Sequence, residues 1–266
     1  MSHSYAIEAS NLGRVFRLGG GRPVRAHEMV ERTVRRALGL PLPPPDEAFW
    51  ALKNCSFQVT QGEVVSIVGH NGAGKSVLFK ILSRVLKPTT GSAVLRGRVV
   101  SLLELGTGFD PEMTGRENIF LNGAILGVSQ AQMWARLEQI VEFSGIGRFL
   151  DEPMKNYSSG MYSRLAFAAA AHVDADVMLV DEVLSVGDKK FGEKCIAHIQ
   201  QAAANGATIL FVSHALELVD ALCSRCLVLE HGELVFDGEP QAAIQRYTEG
   251  LNAGTDSVDD VIFAEI

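Results

Sequence analysis

Short apolar runs alternate with long stretches of mixed polarity along the chain. Val64–Val68, Val177–Val180 and Thr208–Val212 are nearly continuous hydrophobic segments, the pattern of strands buried on both faces of a parallel sheet. A helix is expected between the last two. Residues 5–16 and 50–61 read as two further strands, with Gln61-Gly62 as a hairpin-type turn into Val64–Val68. A short β-segment over Ala93–Glu104 follows. From 115 to 150 the spacing of Ile119, Leu121 and Ile125, then Trp134, Leu137, Ile140 and Val141, is helical. That block, about 107–165, reads as a helical subdomain inserted into the sheet domain. Cys226–Glu230 and Glu233–Phe236 flank His231-Gly232 as a closing hairpin, and a helix over Pro240–Asn252 comes next. The fold class is α/β, a mixed sheet core with an antiparallel β subdomain and inserted helices. It is expected to form one domain over 1–250, with an acidic tail at 251–266.

Residues 17–48 interrupt this scheme. Val30, Val34, Ala37 and Leu38 share a helical face, surrounded by Arg22, Arg25, Arg32, Arg35 and Arg36, before Gly39 and a proline-rich exit. The expectation is an Arg-rich helical insertion.

Chemistry enters between the strand at Val64–Val68 and the helix that begins near Val77. Gly69-His70-Asn71-Gly72-Ala73-Gly74-Lys75-Ser76 fits G-x-x-x-x-G-K-[ST], and strand–loop–helix is the context that gives this pattern meaning. Glycines let the backbone wrap a polyphosphate with N–H groups inward, and the helix adds its positive end. Lys75 would neutralise β/γ-phosphate charge, and Ser76 is suited to ligate Mg²⁺. Val177–Val180 then delivers Asp181 and Glu182 to a strand's C-terminal end, where open α/β sheets place ligands. Asp181 is read as a Mg²⁺ ligand and Glu182 as the base that polarises the attacking water. Tyr157-Ser158-Ser159-Gly160-Met161 opens an alanine-rich helix and makes a second anion site. One nucleotide has a single γ-phosphate, so two such sites suggest that one subunit completes its neighbour's pocket, as a symmetric dimer would allow. His214 ends the strand at Val212 and offers an imidazole donor.

Charge and cysteines narrow the field. A net charge of −7 over 266 residues argues against nucleic acid as a partner. No apolar run approaches the ~20 residues that span a bilayer, and no signal peptide is expected at the N-terminus. Cys223 and Cys226 have redox or zinc spacing without a second Cys/His pair nearby, so the cysteines read as small core residues.

In combination these segments resemble the ATP-binding cassette (ABC) P-loop NTPases over about residues 5–247. Gly69–Ser76 matches Walker A, Val177–Glu182 Walker B, and Tyr157–Met161 the family signature. Ser185–Asp188 lies at the D-loop position and His214 at the switch histidine. The resemblance places Phe16 where the family stacks an aromatic ring on adenine, with Trp50 as second choice, and extends the nucleotide-binding residues to Val77. It implies ATP and Mg²⁺ as cofactors and ATP hydrolysis as the activity. Departures point further. The signature is not Leu-Ser-Gly-Gly-Gln, and Glu104 stands where a Q-loop glutamine is expected, as a further candidate Mg²⁺ ligand. With Phe49–Lys53 after the insertion and Glu112–Asn118, the chain resembles the polysaccharide, O-antigen and teichoic-acid exporters. That resemblance implies a homodimer beneath two copies of a separate membrane permease, at the cytoplasmic face of the inner membrane. Its cargo would be a lipid-linked glycan. A soluble non-transport ABC ATPase and a small-solute importer ATPase are the alternative readings.

Overall fold

A computed structural model describes residues 5–17, 48–103, 105–181, 188–213 and 215–252. The sequence expectations for the Arg-rich insertion, Glu104, Glu182, Ser185, His214 and the acidic tail fall outside these residues.

The described residues build two sheets. β1 (Tyr5–Arg17), β2 (Ala48–Thr60) and β4 (Thr90–Leu95) form an antiparallel sheet in the order β2-β1-β4. The larger sheet adds β3 (Val64–Val68), β5 (Val99–Ser101), β6 (Val177–Asp181), β7 (Thr208–Val212), β8 (Arg225–Glu230) and β9 (Glu233–Gly238). Its order is β5-β6-β7-β3-β8-β9, parallel except for β9. The helices are α1 (Lys75–Leu82), α2 (Gly115–Ile125), α3 (Gln130–Ser144), α4 (Ser159–Ala171), α5 (Lys189–Ala204), α6 (Leu216–Leu222) and α7 (Pro240–Asn252).

Strand periodicity explains the layering. Successive side chains on a strand point to opposite faces. In β6, Val177 and Leu179 enter the core shared with α1 and the antiparallel sheet, while Met178 and Val180 enter the core under the other helices. Leu210 and Val212 of β7 take the first side, and Ile209 and Phe211 the second. Continuous apolar runs therefore bury both faces of one sheet, and each fully buried Val or Leu contributes about 1.5–3 kcal/mol. On the helical side, Leu165 to Ala171 of α4 are all buried. Alanine there lets helices approach closely, and Phe167 stacks on Phe143 of α3 at 5.9 Å.

Two expectations are corrected. Ala93–Glu104 is not one β-segment: β4 and β5 belong to different sheets, because Gly97, with φ +90, turns the chain between them. Gln61-Gly62 likewise makes no hairpin. β2 and β3 do not pair, and the turn, closed by Glu63 N–H to Thr60 O at 3.1 Å, passes the chain from one sheet to the other. Arg225 fixes that junction by pairing with Asp237 and Glu63 and donating to the Gln58 carbonyl at 3.0 Å. These partners raise its pKa, the Asp237 hydrogen bond most. The expected closing hairpin is present as β8–β9, and α7 spans Pro240–Asn252 as the sequence suggested.

Burial sets the cysteine chemistry. Desolvation pushes Cys55, Cys195 and Cys226 up to about 12, and raises Cys223 as well. At pH 8 such thiols are ionised at about one part in ten thousand, against roughly a quarter for a free cysteine. The native chain should therefore resist a thiol reagent at pH 8, and all four cysteines should label once guanidinium unfolds it. Rapid native labelling of Cys223 or Cys226 would restore a redox or metal role for that pair.

Candidate functional site

The loop after β3 is shaped by its glycines and closed by its lysine. β3 lies between β7 and β8, so the loop leaves the C-terminal end of an interior strand. Gly72 and Gly74 take φ of 83° and 100°, a region that costs other residues of order 1 kcal/mol or more. Gly74 caps α1, and a Cβ there would collide with the Ala51 carbonyl oxygen. A Cβ at Gly69 would strike the Leu229 carbonyl oxygen. Lys75, the first residue of α1, is only 7% exposed. Its Nζ donates to the Gly69 carbonyl at 2.6 Å and the His70 carbonyl at 2.8 Å. The loop thus holds a buried cation at its centre. Asn71 and Ser76 are exposed, Ala73 is buried, and Val77 packs on the core shared with the antiparallel sheet.

Residues that no motif marked complete this cradle. The β8–β9 turn, His231-Gly232, has φ of 46° and 79°. Gly232 N–H donates to the Ala73 carbonyl at 3.0 Å, and Lys53 N–H donates to the Gly232 carbonyl at 2.8 Å. The His70 and His231 rings lie 4.9 Å apart. A turn between apolar strands was legible in the sequence; its seat beneath a loop roughly 160 positions earlier was not.

Asp181 ends β6 opposite Val212 of β7 and is half-buried. Glu182 follows it directly in sequence. The Tyr157–Met161 segment stands apart. Ser158 caps α4 by accepting from Met161 N–H at 3.2 Å, and Ser158 and Ser159 are exposed. A Cβ on Gly160 would meet nothing within 4 Å, so the surface over this helix N-terminus is open. Tyr157 anchors the turn by donating from its hydroxyl to the Phe149 carbonyl at 2.6 Å. Desolvation raises its pKa, keeping that donor protonated. Among the described residues, the hydrogen bonds of Ser158–Gly160 stay within α4. The glycine loop and this helix N-terminal turn are therefore built separately.

The first turns of α4 are tied to neighbouring segments by side chains. Tyr162 donates to the Gly106 carbonyl at 3.1 Å, fixing the segment after residue 104. Arg164 pairs with Asp188, whose other oxygen accepts from Phe191 N–H at 2.9 Å and caps α5. Phe16 lies at the end of β1, its ring stacked on Phe49 at 5.7 Å with the Arg14 guanidinium 4.8 Å from its centroid. Trp50 pairs with Val15, the next register position, and so sits on the opposite face.

The ABC transporter family model matches residues 52–185, half of the chain and both the glycine loop and the β6 strand end. The chain belongs to the ABC transporter family. ABC transporter protein AbcA of Aeromonas salmonicida is 51% identical over 206 residues, covering 77% of this chain and 67% of that protein. The O-antigen export system ATP-binding protein RfbB of Klebsiella pneumoniae is 44% identical, over 76% of this chain and 82% of the relative. The teichoic acids export ATP-binding protein TagH of Listeria innocua is 38% identical, over 90% and 71%. An ABC transporter ATP-binding subunit of known structure shares the fold with a TM-score of 0.70 at 19% identity, covering 98% of this chain and all of that one. A dimeric cassette bound to ADP and Pi has a TM-score of 0.68 at 21% identity, covering 88% and 98%. The cassette is a nucleotide-binding ATPase domain.

Glycine geometry generates a prediction. Gly74→Ala should weaken nucleotide binding at least tenfold, because φ +100 and the Ala51 carbonyl together force the loop to move. Gly145→Ala is the control: φ is +70 but nothing lies within 4 Å, so stability should fall by about 1 kcal/mol with nucleotide affinity unchanged. Calorimetric titration and thermal unfolding of both variants read this directly. Wild-type affinity in Gly74→Ala would mean the loop geometry is not what holds the nucleotide.

Proposed function

We propose that the chain is the ATP-hydrolysing subunit of an exporter of lipid-linked polysaccharide, working as a homodimer beneath a membrane permease present in two copies. Residues 1–250 form one nucleotide-binding domain, with the insertion at 17–48 and helices from about 107 to 165 as elaborations. The observation that carries the ATPase reading is the buried Lys75 ammonium inside the glycine loop. The export reading is supported by relatives named for O-antigen and teichoic-acid export. No helix among the described residues is long and apolar enough to cross a membrane. The export reading places the chain at the cytoplasmic face of the membrane, acting through its permease.

ATP binds with its β- and γ-phosphates along Gly69–Ser76, where Lys75 exchanges loop carbonyls for phosphate oxygens. Phe16 packs against the base. Ser76 and Asp181 supply hard oxygen donors and fit Mg²⁺, with Glu104 as a further candidate; when bound, the ion neutralises charge developing on the phosphates. The exposed, locally capped Ser158–Gly160 turn receives the γ-phosphate of the partner copy's nucleotide, and its open surface supports that assignment. Glu182 takes a proton from water as the water oxygen bonds to the γ-phosphorus. The bond to the β–γ bridging oxygen breaks, leaving ADP and phosphate, and His214 donates to the γ-phosphate. Only the closed dimer makes both sets of phosphate contacts, so ATP favours closure and hydrolysis reverses it. Asp188, tied to α4 through Arg164, keeps the D-loop end aligned with this turn.

Glu182→Gln should bind MgATP with near-normal affinity, turn over at least a hundredfold more slowly, and accumulate as an ATP-bound dimer on size exclusion. Near-normal turnover removes Glu182 from the base role. The trans assignment is read by mixing Ser158→Arg with Lys75→Ala subunits. Both lesions fall in one pocket of the mixed dimer, so the other should restore activity that neither homodimer shows. Inactive mixed dimers, with subunit exchange verified, would exclude it. Cells lacking the chain should retain lipid-linked polymer on the cytoplasmic side, and only the wild type should return polymer to the surface. Surface polymer restored by Glu182→Gln would point to another cargo.

A further inference from the structure

A cavity opens on the helical side of the larger sheet, beside Ala175 and Ala207, which precede β6 and β7. It is therefore at the strands' N-terminal ends, away from the glycine loop at their C-terminal ends. Its volume is about 340 Å³, within the range of about 300–1,000 Å³ typical of small-ligand sites. The walls are graded. Ala171, Val173, Met178 and Ala207 make a buried apolar floor. Arg136, His172 and His198 are half-buried above it, and Gln139, Gln201 and Asn205 form an exposed amide rim.

The hydrogen-bonding capacity of the middle layer is incompletely used. Arg136 Nη2 pairs with Asp174, but its Nη1 is buried without a partner among the described residues. His172 Nδ1 lies 2.8 Å from the Ala168 carbonyl, and His198 Nε2 lies 2.8 Å from the Ala171 carbonyl. A carbonyl only accepts, so each of those nitrogens carries the proton. In the neutral rings, His172 Nε2 and His198 Nδ1 are left as acceptors. The rings lie 4.7 Å apart, and burial lowers the pKa of His172, which favours its neutral form. The layer thus presents two lone pairs to the cavity, with the Arg136 guanidinium lining the same wall and its Nη1 enclosed behind it. Polar cavities, unlike apolar ones, do not stay empty.

This combination selects its occupant. Asp174 already balances the Arg136 charge, and burial disfavours a charge on His172, so the layer holds no built surplus of positive charge for an anion. A hydroxyl accepts from a guanidinium and donates to an imidazole at the same time. The amide rim adds further paired donors and acceptors, and the apolar floor suits C–H surface. We propose that this cavity binds a neutral polyhydroxylated ligand of monosaccharide size, held by Arg136, His172 and His198 and rimmed by Gln139, Gln201 and Asn205. The inference is independent of the export reading, because it rests only on this cavity's own chemistry.

The test uses the full chain saturated with ADP, so that the glycine loop is occupied in every arm. Glucose, galactose and rhamnose are titrated separately while the His172 and His198 imidazole resonances are followed by NMR, with inorganic phosphate in a parallel arm. At least one sugar should shift both resonances saturably, with a millimolar Kd. Arg136→Met and Gln201→Leu should each weaken that Kd roughly tenfold, the loss expected for a hydrogen bond to a charged or well-placed polar group, while ATPase stays at the wild-type rate. Gln201 is an exposed helical residue, so its variant remains informative if Arg136→Met folds poorly. Three outcomes overturn the proposal: none of the sugars shifts the two histidines, phosphate saturates the site where sugars do not, or sugar binds Gln201→Leu with the wild-type Kd.

Discussion

A lysine ammonium is buried at the C-terminal end of an interior strand, and the architecture around it is what makes that tolerable. An unpaired buried cation would cost several kcal/mol. Here the Gly69 and His70 carbonyls accept from Lys75, which requires the loop to curl back over the first turn of α1. Curling in turn requires glycine where φ is positive and where the Ala51 and Leu229 carbonyls crowd the backbone. Carbonyl dipoles only partly offset a full charge. A triphosphate would bring a full opposite charge to the same ammonium, so the loop geometry suits the nucleotide that this family binds.

The loop is held from below by elements remote in sequence. β3 is hydrogen-bonded on both sides, by β7 and β8, so it cannot fray. The β8–β9 turn reaches under the loop through Gly232, and β2 lies against both through Lys53 and Ala51. Arg225, paired with Asp237 and Glu63, locks the same strands at their opposite end. Rigid support at both ends of β3 suits a site that must keep its shape while ligands come and go.

The helical side is organised differently. α4 carries the exposed signature turn at its N-terminus and a fully buried alanine-rich stretch behind it. Its first turns connect through Tyr162 to the segment after residue 104 and through Arg164 to Asp188. A displacement of α4 would be felt at both places. Its C-terminal end meets the cavity at Arg136, His172 and His198, so the two ends of one rigid helix border chemically different surfaces.

Local chemistry settled much of this in advance. Continuous apolar runs announced strands buried on both faces, because period-two alternation leaves no side for polar residues. Gly69–Ser76 announced a glycine-shaped loop closed by a lysine, because few sequences combine those glycines with lysine between a strand and a helix. Sequence pattern did not separate β4 from β5, or show that Gln61-Gly62 passes the chain between sheets. Both facts depend on which strand each segment pairs with, and a strand's own residues specify that it pairs, not with what. Nor did it reveal Gly232 beneath Ala73, or Arg136 beside His172 and His198. Those groups are separated by long stretches of chain and carry no local period. Only closure of the two cores around one sheet brought the first pair into a hydrogen bond and the second group around one cavity.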